Sequence, residues 1–194
     1  MMISKLFKTL LGAVLAATVF SAGATPVTMS LADVDGLQNG GTIDQLIDSP
    51  VAGAGVLTFD LVGRVSLDGE GCCTDIFTLW INGTKLYSGT FNMGGGGANV
   101  NYFIDPSVTI VSSVSKGDYS GGLTKFSVAH ALLAGTNTYS FAYTELQGAE
   151  DEGWAIANAN VSVNAGSTAV PEPGSLALLG LGLMGFAVAR RRKN

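Results

Sequence analysis

The chain has 194 residues, 47 % of them hydrophobic, which is enough for one buried core of ordinary domain size. Six of its ten Lys and Arg lie in the two terminal segments, while fourteen of its fifteen acids lie between them, so the middle carries about −10. A domain that acidic repels phosphate backbones and argues against nucleic acid as a partner. The two adjacent cysteines are too few for a disulfide framework.

Residues 1–24 open with Lys5 and Lys8 and no acid, continue through the apolar run 9–20, and reach Ala22-Gly23-Ala24. A positive start, a short apolar stretch and an Ala-x-Ala site make a secretory signal peptide. The expected partners are the Sec translocon and signal peptidase, with Ala22 and Ala24 forming the cleavage site and a mature start near Thr25.

From residue 25 to 163 the dominant pattern is period two, which predicts strands. Over 56–67, Leu57, Phe59, Leu61, Val65 and Leu67 share one face, and Thr58, Asp60, Arg64 and Ser66 the other. Residues 76–91 predict a hairpin about Asn82-Gly83, because a two-residue turn of this type needs positive φ at both positions. That turn pairs Ile81 with Thr84, Leu79 with Leu86 and Phe77 with Ser88 on the core face. Trp80 then meets Lys85, and Thr78 meets Tyr87, on the polar face. Further strands are expected at 123–133, 137–146 and 154–163, with shorter ones at 27–31, 100–104 and 107–114. Gly94 to Gly97 lacks the Lys-Ser/Thr of a phosphate loop and reads as a mobile loop. About nine short strands predict an all-β single β-sandwich, jelly-roll-like, between the signal peptide and a C-terminal hydrophobic helix.

Residues 164–170 (NAGSTAV) read as a flexible linker. Pro171-Glu172-Pro173 follows, then the uncharged run 175–189, then Arg190, Arg191, Arg192 and Lys193. The prolines leave an extended segment that an enzyme can reach. A helix of about 15 residues spans roughly 22 Å, short for a permanent membrane span, and the basic end is retained on the cytoplasmic side. An uncut tail anchor would have the same topology.

This order of parts over 171–194 resembles the PEP-CTERM sorting signal of Gram-negative bacteria, also labelled an ice-binding protein C-terminal domain. The resemblance implies recognition of Pro171, Glu172 and Pro173 by an exosortase that cleaves near them. It also implies a transient stay in the inner membrane, then a place at the cell surface or in the extracellular matrix, associated with exopolysaccharide and biofilm. Two shorter segments resemble secreted jelly-roll domains. LLAGTNTYSF at 132–141 is similar to an edge common in carbohydrate-binding modules. EDEGWAIANANVSV at 150–163 is similar to the end of many secreted β-sandwich proteins through Asp151, Glu152, Trp154, Ile156 and Asn158. Ala157 stands where that pattern has Asp, and Ala159 where it has Val.

No nucleophile and base are paired by the sequence, so no catalytic residue is expected and the protein is read as non-enzymatic. His130 lies in a row with Phe126, Val128 and Leu132, as a hydrogen-bonded core residue does. Trp80, Lys85 and Tyr87 form the candidate sugar contact, since an aromatic face covers a sugar ring while ordering few torsions. Asp68, Glu70, Asp75, Glu150, Asp151 and Glu152 are candidate Ca²⁺ ligands, as hard oxygen donors. Cys72 and Cys73 are compatible with a vicinal disulfide, two thiols or an intermolecular link, and the vicinal bond is the expectation after export. The function expected is an exported, exosortase-processed surface or matrix protein, with a carbohydrate-binding module of defined ligand or a purely structural matrix protein as alternatives.

Overall fold

The computed structural model describes residues 26–37, 40–144, 146, 151–164, 180, 182 and 183. Residues 1–24, expected to be a signal peptide, Glu150, positions 165–170 of the expected linker and nearly all of the sorting segment lie outside the described residues. The chain divides into two units, one being Ala24–Thr168; in the other, Gly180, Gly182 and Leu183 are helical.

Ala24–Thr168 is all-β, with eleven strands among the described residues. They are β1 (Val27–Ser30), β2 (Val34–Leu37), β3 (Gly41–Ser49), β4 (Gly53–Val65), β5 (Ile76–Ile81), β6 (Thr84–Thr90), β7 (Val100–Ile104), β8 (Val108–Ser115), β9 (Gly122–Leu132), β10 (Gly135–Tyr143) and β11 (Glu152–Asn164). The first sheet runs β1-β11-β4-β9-β8, with β2 also on β11; the second runs β3-β10-β5-β6-β7. All pairs are antiparallel. The pairing is nested, β2 with β11, β3 with β10 and β4 with β9, which is the winding of a jelly roll.

Alternation places the core. In β4, Leu57, Phe59 and Leu61 are buried while Thr58 and Arg64 are exposed, as the period-two pattern requires. Phe59 stacks on Phe126 at 4.7 Å and meets Phe141 edge-on at 5.2 Å, so one ring joins both sheets. Trp154, Tyr87, Phe77 and Phe91 extend the same core.

The structure departs from the sequence reading in three places. β2 and β3 were not expected: β3 (GTIDQLIDS) is an edge strand whose Ile43 and Ile47 point inward between polar residues. β4 stops at Val65, whose left-handed φ of 56° turns the chain, although Leu67 beyond it is still buried. The hairpin turn at Asn82-Gly83 is as expected, with φ of 49° and 77°. Its register holds for Ile81 with Thr84 and Trp80 with Lys85, then shifts, so that Leu79 pairs with Tyr87 and Phe77 with Gly89. One extra residue in β6 reverses the side of every residue beyond it.

Candidate functional site

The left-handed turn at Val65 sends residues 66–75 across one end of the sandwich. Ser66 fastens this loop to the start of β11: its backbone N–H donates to Asp151 O at 2.9 Å and its hydroxyl donates to Asp151 Oδ1 at 3.1 Å. Leu67 and Met93 exchange backbone hydrogen bonds, and Gly69 N–H donates to Gly96 O at 2.7 Å. The Gly94 to Gly97 segment is therefore pinned, not the loose loop expected. Gly94 has φ of 92°, and a Cβ there would come within 2.2 Å of Val65 O, so the segment fits closely only without a side chain.

Folding gathers acids from three places in the chain. Carboxylate oxygens of Asp68, Asp75 and Glu152 all lie within 4.8 Å of one another. Asp75 is 3 % exposed and Glu152 is 0 % exposed. Asp68 and Asp75 are tied reciprocally, Asp68 N–H donating to Asp75 Oδ2 at 2.7 Å and Asp75 N–H to Asp68 O at 3.2 Å. Above them is an open cavity of about 420 Å³ lined by Asp68, Asp118, Asp151, Cys73, Tyr119 and the Gly94–Gly96 backbone. Burial pushes the Asp75 carboxyl up to about 7, and the charges of Glu152, Asp68 and Asp151 push the same way against the hydrogen bond from Asp68. Tyr143 and Trp154 are buried in the core with rings 5.2 Å apart. Among the described residues neither Tyr143 Oη nor Trp154 Nε1 has a hydrogen-bond partner, though both are buried. Burial, then the charge of Asp75, hold the Tyr143 hydroxyl well above its ordinary value.

Of the candidate Ca²⁺ ligands, Asp68, Asp75 and Glu152 thus converge, and Asp151 lines the adjoining cavity. Glu70 instead sits in a bridge with Ala98 and faces Tyr102. Ala157 pairs with Asp60, outside the acid group, so the departure at that position leaves the cluster untouched. The sulfurs of Cys72 and Cys73 stand 2.9 Å apart, longer than the about 2.05 Å of the expected vicinal bond. Thr74 Oγ1, which accepts from Gly71 N–H, closes the loop without it.

The candidate sugar contact is revised. Trp80 is half-buried on the outer face of the second sheet with exposed Lys85 opposite, as expected. Tyr87 is wholly buried: the bulge turns it inward onto Phe91 and Phe126, and its hydroxyl donates to Asn101 Oδ1 at 2.7 Å. The aromatic that joins the outer face is Phe103, with Lys85 Nζ 5.3 Å above its ring. Its signal was the apolar run 102–104 in a strand too short to hide it. His130 is engaged in the fold, with Nε2 2.9 Å from Tyr139 Oη and Nδ1 3.3 Å from Val128 O, and burial lowers its pKa.

Residues 169–193 match the PEP-CTERM protein-sorting motif, a span that includes Pro171, Glu172, Pro173 and the basic end from Arg190 to Lys193. The chain carries a PEP-CTERM sorting signal. A PEP-CTERM signal marks an exported protein, anchored in a membrane until an exosortase processes it. No curated protein matches the chain. Among solved structures, the β-domain is similar to the native structure of a family 35 carbohydrate binding module from Clostridium thermocellum. The two share 14 % identity at a TM-score of 0.34, over 72 % of this chain and 93 % of that one.

Proposed function

We propose that the protein is a non-enzymatic surface or matrix component that reaches the cell exterior through Sec and exosortase and there contacts extracellular polysaccharide. The observation that carries this reading is the PEP-CTERM motif at 169–193, which supplies the route. Support for polysaccharide contact comes from the outer face of the second sheet. Asp44, Ser140, Trp80 and Lys85 follow one another across β3, β10, β5 and β6. The half-exposed indole offers a flat surface to the C–H face of a sugar ring. Flanking carboxylate, hydroxyl and ammonium groups suit its hydroxyls.

Two tests follow. Replacing Pro171, Glu172 and Pro173 together by alanine leaves the protein uncut in the membrane fraction, as read by fractionation and immunoblot; unaltered processing would contradict exosortase routing. On a glycan array, the native protein binds saturably and Trp80→Ala weakens that binding by about tenfold or more, a difference of about 1.4 kcal/mol. Equal signals from the two proteins would move the reading to a purely structural matrix role. Turnover of the polysaccharide by the purified protein would sink the non-enzymatic claim.

A further inference from the structure

We propose that Asp68, Asp75 and Glu152 bind one hard divalent cation, Ca²⁺, at the loop end of the sandwich. Oxygens on opposite sides of a bound Ca²⁺ stand roughly 4.8 Å apart, twice a typical bond length, and the three carboxylates present oxygens within that same separation. They come from the β4–β5 loop, the residue before β5 and the first residue of β11, so an ion there would join the two sheets. Asp75 and Glu152 are removed from water, and a cation among the three carboxylates offsets their mutual repulsion.

A second observation favours a hydrated ion. Tyr143 and Trp154 are 4 % and 1 % exposed, and their polar atoms have no hydrogen-bond partner among the described residues. Tyr143 is close enough to Asp75 for its hydroxyl to feel that charge, and Trp154 follows Glu152 on the inward side of β11. Buried polar atoms of this kind are normally satisfied by protein or ordered water. A cation with a partial water shell beside Asp75 supplies a partner to Tyr143, whose Oη can ligate the ion or accept a hydrogen bond from its bound water. The ligand set is all carboxylate, which suits Ca²⁺ over softer metals. Ligands drawn from one loop and the first residue of a strand suit the adaptable coordination of Ca²⁺ better than the strict octahedron of Mg²⁺.

The full chain, purified in detergent and stripped with EDTA, is titrated with CaCl₂ by calorimetry and followed by thermal melting. The expected result is one Ca²⁺ per chain with a raised Tm. Glu152→Gln and Asp68→Asn each weaken binding by about tenfold or more, and Asp48→Asn, on β3 at the end of the sheet away from Tyr143, keeps it. Asp68 is only half-buried, so its variant serves if Glu152→Gln does not fold. No heat and no change in Tm on adding Ca²⁺, binding undiminished in Asp68→Asn, or equal affinity for Mg²⁺ would each overturn the assignment. The result is independent of the polysaccharide reading, since the Trp80 face is not part of this site.

Discussion

In protein stripped of divalent ions, Asp75→Asn raises the unfolding free energy at pH 8 by up to about 4 kcal/mol. The cause is the carboxyl held at about 7, first by burial and then by the charges of Glu152, Asp68 and Asp151. Its ordinary value is 3.8, so the native state holds this proton more tightly than the unfolded chain does. The contribution of Asp75 to stability is therefore complete below about pH 4, declines as pH rises toward 7, and is lost above it. Asparagine has no such titration and keeps an oxygen for the Asp68 N–H. Other groups titrate in the same window. His130, lowered by burial, gives a slope of the opposite sign, but it is common to both proteins and cancels in the difference. Urea melts at pH 5 and pH 8 check the claim: the gap between variant and native protein must widen with pH. Parallel curves would show that Asp75 is ionised throughout. Saturating Ca²⁺ should reverse the sign, because the variant then lacks a ligand.

Phe59→Ala should cost about 3–5 kcal/mol, the usual range for an aromatic removed from a core. Phe59 is 2 % exposed and meets Phe126 from its own sheet and Phe77 and Phe141 from the other. Its removal opens a cavity where the layers join, and loses a stacked and an edge-on pair as well. Leu46→Ala is the control: Leu46 is 67 % exposed, and its loss should change stability by less than about 0.5 kcal/mol. Denaturant midpoints for the two variants decide it. A cost for Phe59→Ala near that of Leu46→Ala would mean that the sheets are not held together at this ring.

Local signals in the sequence were reliable where local chemistry decides the outcome. Asn82-Gly83 specified its turn, since few residues accept φ of 49° and 77° in succession. The inward row Leu57, Phe59 and Leu61 followed from alternation alone. β3 was hidden because an edge strand needs only Ile43 and Ile47 inside, and its Asp and Gln residues interrupt any apolar run. The bulge opposite Leu79 was invisible for a different reason: a periodic pattern carries no mark of an inserted residue, and the inserted residue is what moved Tyr87 from the surface to the core. The acid cluster lay between these cases. Its residue types were conspicuous, but their meeting depends on β11 lying against β4 and on the 66–75 loop crossing the end of the sandwich. Neither is encoded within a window of neighbouring residues.

The nested strand order bears on how the domain forms during export. Val27 is partnered by Val163, and β3 by β10, so the earliest strands to emerge have no permanent neighbour until the last ones arrive. Contacts this distant in sequence must close large loops before they gain anything, which slows folding and delays it to the end of synthesis and transport. A chain of this topology stays threadable while it crosses the membrane and acquires its rigidity only once β11 is through. By then residue 164, just upstream of the sorting motif, has also been delivered.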